Sequence, residues 1–282
     1  MSLKPITPDT CIVRDTHRHK GRTEAINPQT TATRWLHYGR VILANGDAPV
    51  RFSTGERETA LICVSGRASV EAGTAAGATP DRRTFSMGKY DALYVPRGAD
   101  VSIVPDAAGC DFVELSSTVA GEYPLQFVAY ADVQRDPALH FKTGGPSSSR
   151  ELSILIGKNV EAGRLLAGVT FSEPGNWTSW PPHEHGEMLE EVYLYLDMPA
   201  PAFGVQFVYN DARNPEVATM VREGDCVIIP QGYHPNVAAP GGRIGFMWFM
   251  AAHREVEDRQ FGVVNVQPDF AAKGSGLEAA RK

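Results

Sequence analysis

Two histidines separated by one residue, His183 and His185, stand in the stretch Trp180-Pro181-Pro182-His183-Glu184-His185-Gly186-Glu187-Met188-Leu189-Glu190-Glu191-Val192-Tyr193-Leu194-Tyr195. In an extended segment residues i and i+2 point the same way, so both imidazoles would aim at one point. Glu191, Tyr193 and Tyr195 share one face of the strand-like run that follows, and Val192, Leu194 and Leu196 the other. A carboxylate from that run could join the histidines. Farther on, Pro230-Gln231-Gly232-Tyr233-His234-Pro235 offers His234 after another apolar run. Two or three neutral imidazoles with one carboxylate suit a first-row divalent metal. A lone His-x-His is weak, because short motifs match freely. The ordered set of His-x-His, downstream Glu and downstream Pro-x-Gly-x-His between strands is far more specific. Another pair, His17 and His19, is flanked by cations with no strand or acid behind it and reads as a solvated loop.

The elements that must position these groups are short strands. At 282 residues the chain can bury a large core and hold two domains. Strand-like runs cover Trp35 to Leu43, Glu58 to Val64, Ala68 to Ala72, Ala92 to Val95, Val101 to Val104 and Phe112 to Leu115, with Gly and Asp between them. Residues 1 to 34 read as polar and mixed. Asp136-Pro137 and the cluster Thr143-Gly144-Gly145-Pro146-Ser147-Ser148-Ser149 form the best linker candidate. The rhythm restarts with Leu152 to Ile156, Arg164 to Phe171, Glu191 to Leu196, Gly204 to Tyr209, Thr219 to Val221, Cys226 to Ile229 and Ile244 to Met250. This spacing predicts an all-β sandwich or barrel, and from about residue 270 a loosely docked tail.

The two stretches echo each other. Met87-Gly88-Lys89-Tyr90-Asp91-Ala92-Leu93-Tyr94-Val95-Pro96-Arg97-Gly98 repeats the glycine, apolar strand, Pro-x-Gly order of Glu223-Gly224-Asp225-Cys226-Val227-Ile228-Ile229-Pro230-Gln231-Gly232. That is the mark of a duplicated β unit. After Pro96-Arg97-Gly98 come Ala99 and Asp100 rather than a histidine, so the first unit repeats the scaffold without the ligands. The expected division is 1–145 and 146–282.

Composition excludes several classes. The net charge is -6 with a pI of about 5.8, which is no nucleic-acid footprint. No signal peptide and no apolar run of membrane length is present. Cys63, Cys110 and Cys226 fall in or beside apolar runs, and no CxxC occurs, so the cysteines read as small buried hydrophobes in a reducing cytoplasm.

The order of strand, His-x-His, downstream Glu, Gly-Asp, strand and Pro-x-Gly-x-His resembles the cupins, and two such units would make a bicupin of two jelly rolls. More narrowly, Gly175-Asn176-Trp177-Thr178-Ser179-Trp180-Pro181-Pro182-His183-Glu184-His185, Glu191-Val192-Tyr193-Leu194-Tyr195, Phe203-Gly204-Val205-Gln206-Phe207-Val208-Tyr209 and Gly232-Tyr233-His234-Pro235 are similar to the 5-deoxy-glucuronate isomerase family of inositol catabolism. Phe249 to Gln267 is nearer its relative that acts on a hexosulose uronate in pectin breakdown. The resemblance implies His183, His185, Glu191 and His234 as metal ligands, with one divalent ion per chain, zinc by preference and manganese, iron or nickel as alternatives. It implies a small sugar acid as substrate and a homo-oligomer, with neither nucleic acid nor membrane as partner.

An aldose–ketose isomerisation moves a proton or hydride between adjacent carbons, and a Lewis-acid metal stabilises the charge that develops. Glu191 and Tyr193 are the candidate catalytic groups. Gln206, Tyr195, Tyr233 and Arg243 are the candidate substrate contacts, with Arg222, Lys158 and Arg150 as further cations for a uronate carboxylate. Two other readings share the ligand set: an iron dioxygenase and a non-catalytic sugar-binding cupin.

Overall fold

Apolar runs become strands over most of the chain in the computed structural model, which describes residues 4–74 and 81–274. The α-helices among the described residues are Pro8–Cys11 and Tyr130–Arg135. Among the described residues no helix is long and apolar enough to cross a membrane.

The first half forms one large sheet in the order Gly21–Ile26, His37–Leu43, Ala99–Thr118, Arg57–Thr74, Ala92–Val95 and Gln126–Val128. A seven-stranded sheet, built mainly from the second half and joined at its edges by Ile12–Val13 and His140–Thr143 of the first, runs in the order Ile12–Val13, Cys226–Ile229, Leu189–Tyr195, Gly245–Ala252, Leu165–Ser172, Arg150–Ile156 and His140–Thr143. A four-stranded sheet of Trp177–Thr178, Asn236–Ala238, Gly204–Val208 and Val217–Val221 lies beside it.

Several elements differ from the sequence expectation. The runs at 58–64 and 68–72 are one strand, Arg57–Thr74, and those at 101–104 and 112–115 are one strand, Ala99–Thr118. The polar break Ser65-Gly66-Arg67 is a bulged segment, with register shifts on both sides of Gly66. Gly66 has φ 70°, and any Cβ there would strike the Gly109 carbonyl. Gly21–Ile26 is a strand hidden in the polar N-terminal region, because one of its faces stays solvated. The cluster 144–149 is the turn of a hairpin joining His140–Thr143 to Arg150–Ile156. Pro268–Lys273 forms a 3-10 turn, and the rest of the expected tail, 275–282, lies outside the described residues.

The repeat legible in the sequence extends to strand register. Thr59 pairs with Val95 and Ser116, and Glu191 pairs with Ile229 and Met250. His37 pairs with Ser116 as Leu166 pairs with Met250. Thr59 therefore occupies in the first half the place that Glu191 occupies in the second. One core runs between the halves: Tyr38, Ala60, Ile62 and Leu115 from the first meet Val192, Leu194, Met247 and Phe249 from the second. Tyr38 stacks on Phe249 with ring centroids 5.4 Å apart. A separate core of Leu61, Val95, Phe112 and their neighbours fills the first half. Alternation thus sends odd- and even-numbered residues of Leu189–Tyr195 to different surroundings: Glu190, Val192 and Leu194 to the shared core, Glu191 and Tyr193 into the second half's interior.

Candidate metal centre and its cavity

Short braces hold the three histidines. His183–Glu184 pairs with Asn265–Val266, and the Gln267 amide donates to the Pro182 carbonyl at 2.9 Å. Gly186, at φ 59°, then turns the chain back toward Leu189–Tyr195. Tyr233 and Tyr209 exchange backbone hydrogen bonds of 2.8 and 2.9 Å, which fixes the loop that carries His234.

The nitrogens of His183, His185 and His234 all lie within 4.8 Å of one another. Glu191 Oε2 stands 3.0 Å from His185 Nε2 and 3.1 Å from His234 Nε2. All four side chains are buried, His234 completely. His183 Nδ1 donates to the Pro181 carbonyl at 3.0 Å, and His234 Nδ1 donates to the Gly232 carbonyl at 2.9 Å. A carbonyl only accepts, so in these neutral rings the proton sits on Nδ1 and Nε2 carries the lone pair. His234 Nε2 has no hydrogen-bond partner. It faces the Glu191 carboxylate lone pair to lone pair, a repulsive contact unless a cation lies between them. The Glu191 carboxylate and the histidine nitrogens are close enough to share one cation. The donor set fits a divalent first-row ion.

Electrostatics agree with ligation, which needs neutral imidazole and ionised carboxylate. Burial, then the neighbouring His234 and His185, pushes His183 well below the ordinary histidine range. Burial alone would raise Glu191, but His185 and His234 outweigh it and hold the carboxyl at about 2.

A polar network lies beneath the ligands. Gln206 Nε2 donates to the His234 carbonyl at 2.8 Å and to the Phe207 carbonyl at 2.7 Å. The Tyr195 hydroxyl donates to Gln206 Oε1, which also accepts from Asn236 Nδ2 at 3.1 Å. Gln206 and Tyr195 therefore position the His234 loop from below. Neither lines the cavity.

A partly open cavity of about 40 Å³ lies above the ligands. Tyr193 lines it, with its hydroxyl 2.6 Å from Ser179 Oγ and its ring 5.8 Å from that of His234. Burial pushes the Tyr193 phenol well above its usual range, so it stays protonated. Tyr233 is half-buried beside Tyr209 and outside the lining. Arg243 is exposed on a turn, its guanidinium 4.9 Å from the Phe171 ring. Arg222 and Lys158 are exposed too. Of the four cations weighed from sequence, Arg150 alone is buried and in the cavity wall. Ser179, Trp248 and Phe261 also line the cavity, and no local pattern marks them as site residues.

The sequence profile of the KduI/IolB family matches residues 11–267. The chain is 27% identical over 233 residues to a 5-deoxy-glucuronate isomerase of Geobacillus kaustophilus, covering 79% of this chain and 81% of that protein. The crystal structure of an IolB-like protein from Salmonella typhimurium superposes with a TM-score of 0.76 at 22% identity, over 93% of this chain and 98% of the other. Oxalate decarboxylase of Bacillus subtilis superposes with a TM-score of 0.62 at 11% identity, over 93% and 81% of the two chains. These two likenesses are of fold.

Proposed function

The chain belongs to the KduI/IolB family, and we propose that it is a metal-dependent isomerase converting 5-deoxy-glucuronate to 5-dehydro-2-deoxy-gluconate. The observation that carries this reading is the convergence of three buried imidazoles on one buried carboxylate inside a cavity. His183, His185, Glu191 and His234 are the residues that would hold the ion, zinc in the preferred reading. When bound, such an ion supplies Lewis-acid stabilisation of the charge that develops on the substrate oxygens.

The chain's own residues do the rest. Tyr193, kept protonated and oriented by Ser179, holds a proton at its hydroxyl for a substrate oxygen. Gln206 and Tyr195 fix the loop of His234 from beneath. Leu152, Phe246, Met250 and Phe261 form an apolar wall that excludes water and suits the methylene of a deoxy acid. The halves, 1–145 and 146–282, are in this reading two cupin-type jelly rolls of which the second holds the metal. The shared strand register, with Thr59 in the place of Glu191, supports it.

Turnover of 5-deoxy-glucuronate followed by NMR, with and without a chelator, tests the reading. Oxygen consumption by iron-loaded protein without isomerisation would favour a dioxygenase instead.

A further inference from the structure

Arg150 opens the strand Arg150–Ile156, which lies three places from the Glu191 strand in the sheet. At the usual strand spacing that is about 14 Å of sheet. Its side chain is only 3% exposed and lines the same cavity as His183, His185 and Glu191. Among the described residues it is the only Lys or Arg in that wall. A guanidinium stays charged in any folded protein, and its fork matches a carboxylate. Its Nη1 donates to the Ser148 carbonyl at 3.0 Å, which anchors the group at the cavity's edge.

Trp248 comes from the strand next to that of Glu191 and lines the same cavity. It is 3% exposed and stacks on Phe261, with centroids 4.6 Å apart. Its Nε1 is buried with no hydrogen-bond partner. A buried indole N–H usually finds an acceptor, and a ligand oxygen in the cavity would supply one. Metal donors on one side, a buried cation three strands away and an unsatisfied donor between them describe a two-ended ligand.

We propose that Arg150 binds the carboxylate of the substrate while the Trp248 N–H donates to an oxygen of the same sugar acid, so that the carbonyl end meets the metal ligands. This inference rests on the isomerase reading above. Arg150 and Trp248 are then specificity-determining contacts that select an acid over the neutral sugar.

The test uses metal-loaded protein and two probes, D-glucuronate and its neutral amide D-glucuronamide, titrated by calorimetry, with turnover of 5-deoxy-glucuronate measured in parallel. Wild type should prefer the acid. Arg150→Gln should weaken glucuronate binding by roughly 10- to 100-fold and leave the amide within about threefold, because a charged hydrogen bond is lost. KM should rise more than kcat falls. Trp248→Phe keeps the ring and should weaken both probes alike, by less. Equal loss of both probes in Arg150→Gln, no loss of either, or equal affinity of wild type for the two overturns the proposal. If a thermal melt shows that Arg150→Gln does not fold, Arg150→Lys decides: reduced glucuronate affinity with the acid still preferred supports the role, and unchanged affinity overturns it. Failure of the isomerase reading shows separately, as selective acid binding without turnover of 5-deoxy-glucuronate.

Discussion

Glu58 and Glu190 join the two halves by one contact made in opposite directions. Glu190 accepts the backbone N–H groups of Arg34, Trp35 and Leu36 at 2.6, 2.7 and 2.6 Å. Glu58 accepts those of Gly163, Arg164 and Leu165 at 2.7, 2.7 and 2.9 Å. The strand register that equates Thr59 with Glu191 and His37 with Leu166 also equates these two acids and these two amide triplets. Each half thus buries an acid whose backbone amide partners lie in the other, and Glu58 accepts in addition from the Tyr94 hydroxyl of its own half at 2.6 Å.

Breaking either contact should cost stability rather than metal. In Glu58→Gln or Glu190→Gln an acceptor oxygen becomes an NH2 that faces an amide donor. Each change should destabilise by about 1–3 kcal/mol, the range for leaving buried donors unsatisfied. Denaturant unfolding of each single variant checks the size, and metal content by mass spectrometry should stay at the wild-type level.

The adjacent acid should behave in the opposite way. Glu191→Gln removes the carboxylate that lies 3.0 and 3.1 Å from His185 and His234, so zinc affinity should fall about 10-fold or more, since even groups outside the ligand set cost that much. Competition with a chromogenic chelator measures it. Loss of metal in Glu190→Gln with retention in Glu191→Gln would reverse the assignment.

The cysteines offer a check on the packing. Cys11, Cys63, Cys110 and Cys226 are all buried and unpaired. Burial raises Cys63 and Cys226 to about 12 and Cys110 to about 11, and it raises Cys11 as well. A raised thiol pKa means almost no thiolate below that value. Alkylation of the native protein should therefore stay negligible from pH 7 to 9, and all four thiols should react once denaturant is added. Fast labelling of one thiol in the native state would place it at the surface.

Much of the site was legible because strand alternation has a period of two. The grouping of His183 with His185, and of Glu191 with Tyr193, follows from that period, while the choice of Glu191 and His234 as ligands is what the family resemblance implies. The partners of Glu190 were not legible: its amide donors lie about 155 residues away in sequence, and backbone N–H groups carry no residue signature. In sequence Gln206 reads as a substrate contact because a polar group in an apolar strand needs a partner, and Tyr195 because it shares a strand face with Glu191. Their partners are Asn236 and the His234 loop. Arg150 follows a serine run that reads as solvated, and only the closing of the sheet buries it. The long strands Arg57–Thr74 and Ala99–Thr118 were each read as two, because a bulge looks like a turn in one dimension.

An isomerisation that depends on an ion held by His183, His185, Glu191 and His234 must stop when that ion is removed. The most direct measurement is conversion of 5-deoxy-glucuronate by NMR, on one preparation before chelation, after metal is stripped, and after one equivalent of zinc is restored. Turnover should be abolished by stripping and recovered by zinc, with no recovery in the His183→Ala, His185→Ala double variant. Turnover that survives complete removal of metal, or none from the fully loaded protein, would contradict a metal-dependent isomerisation.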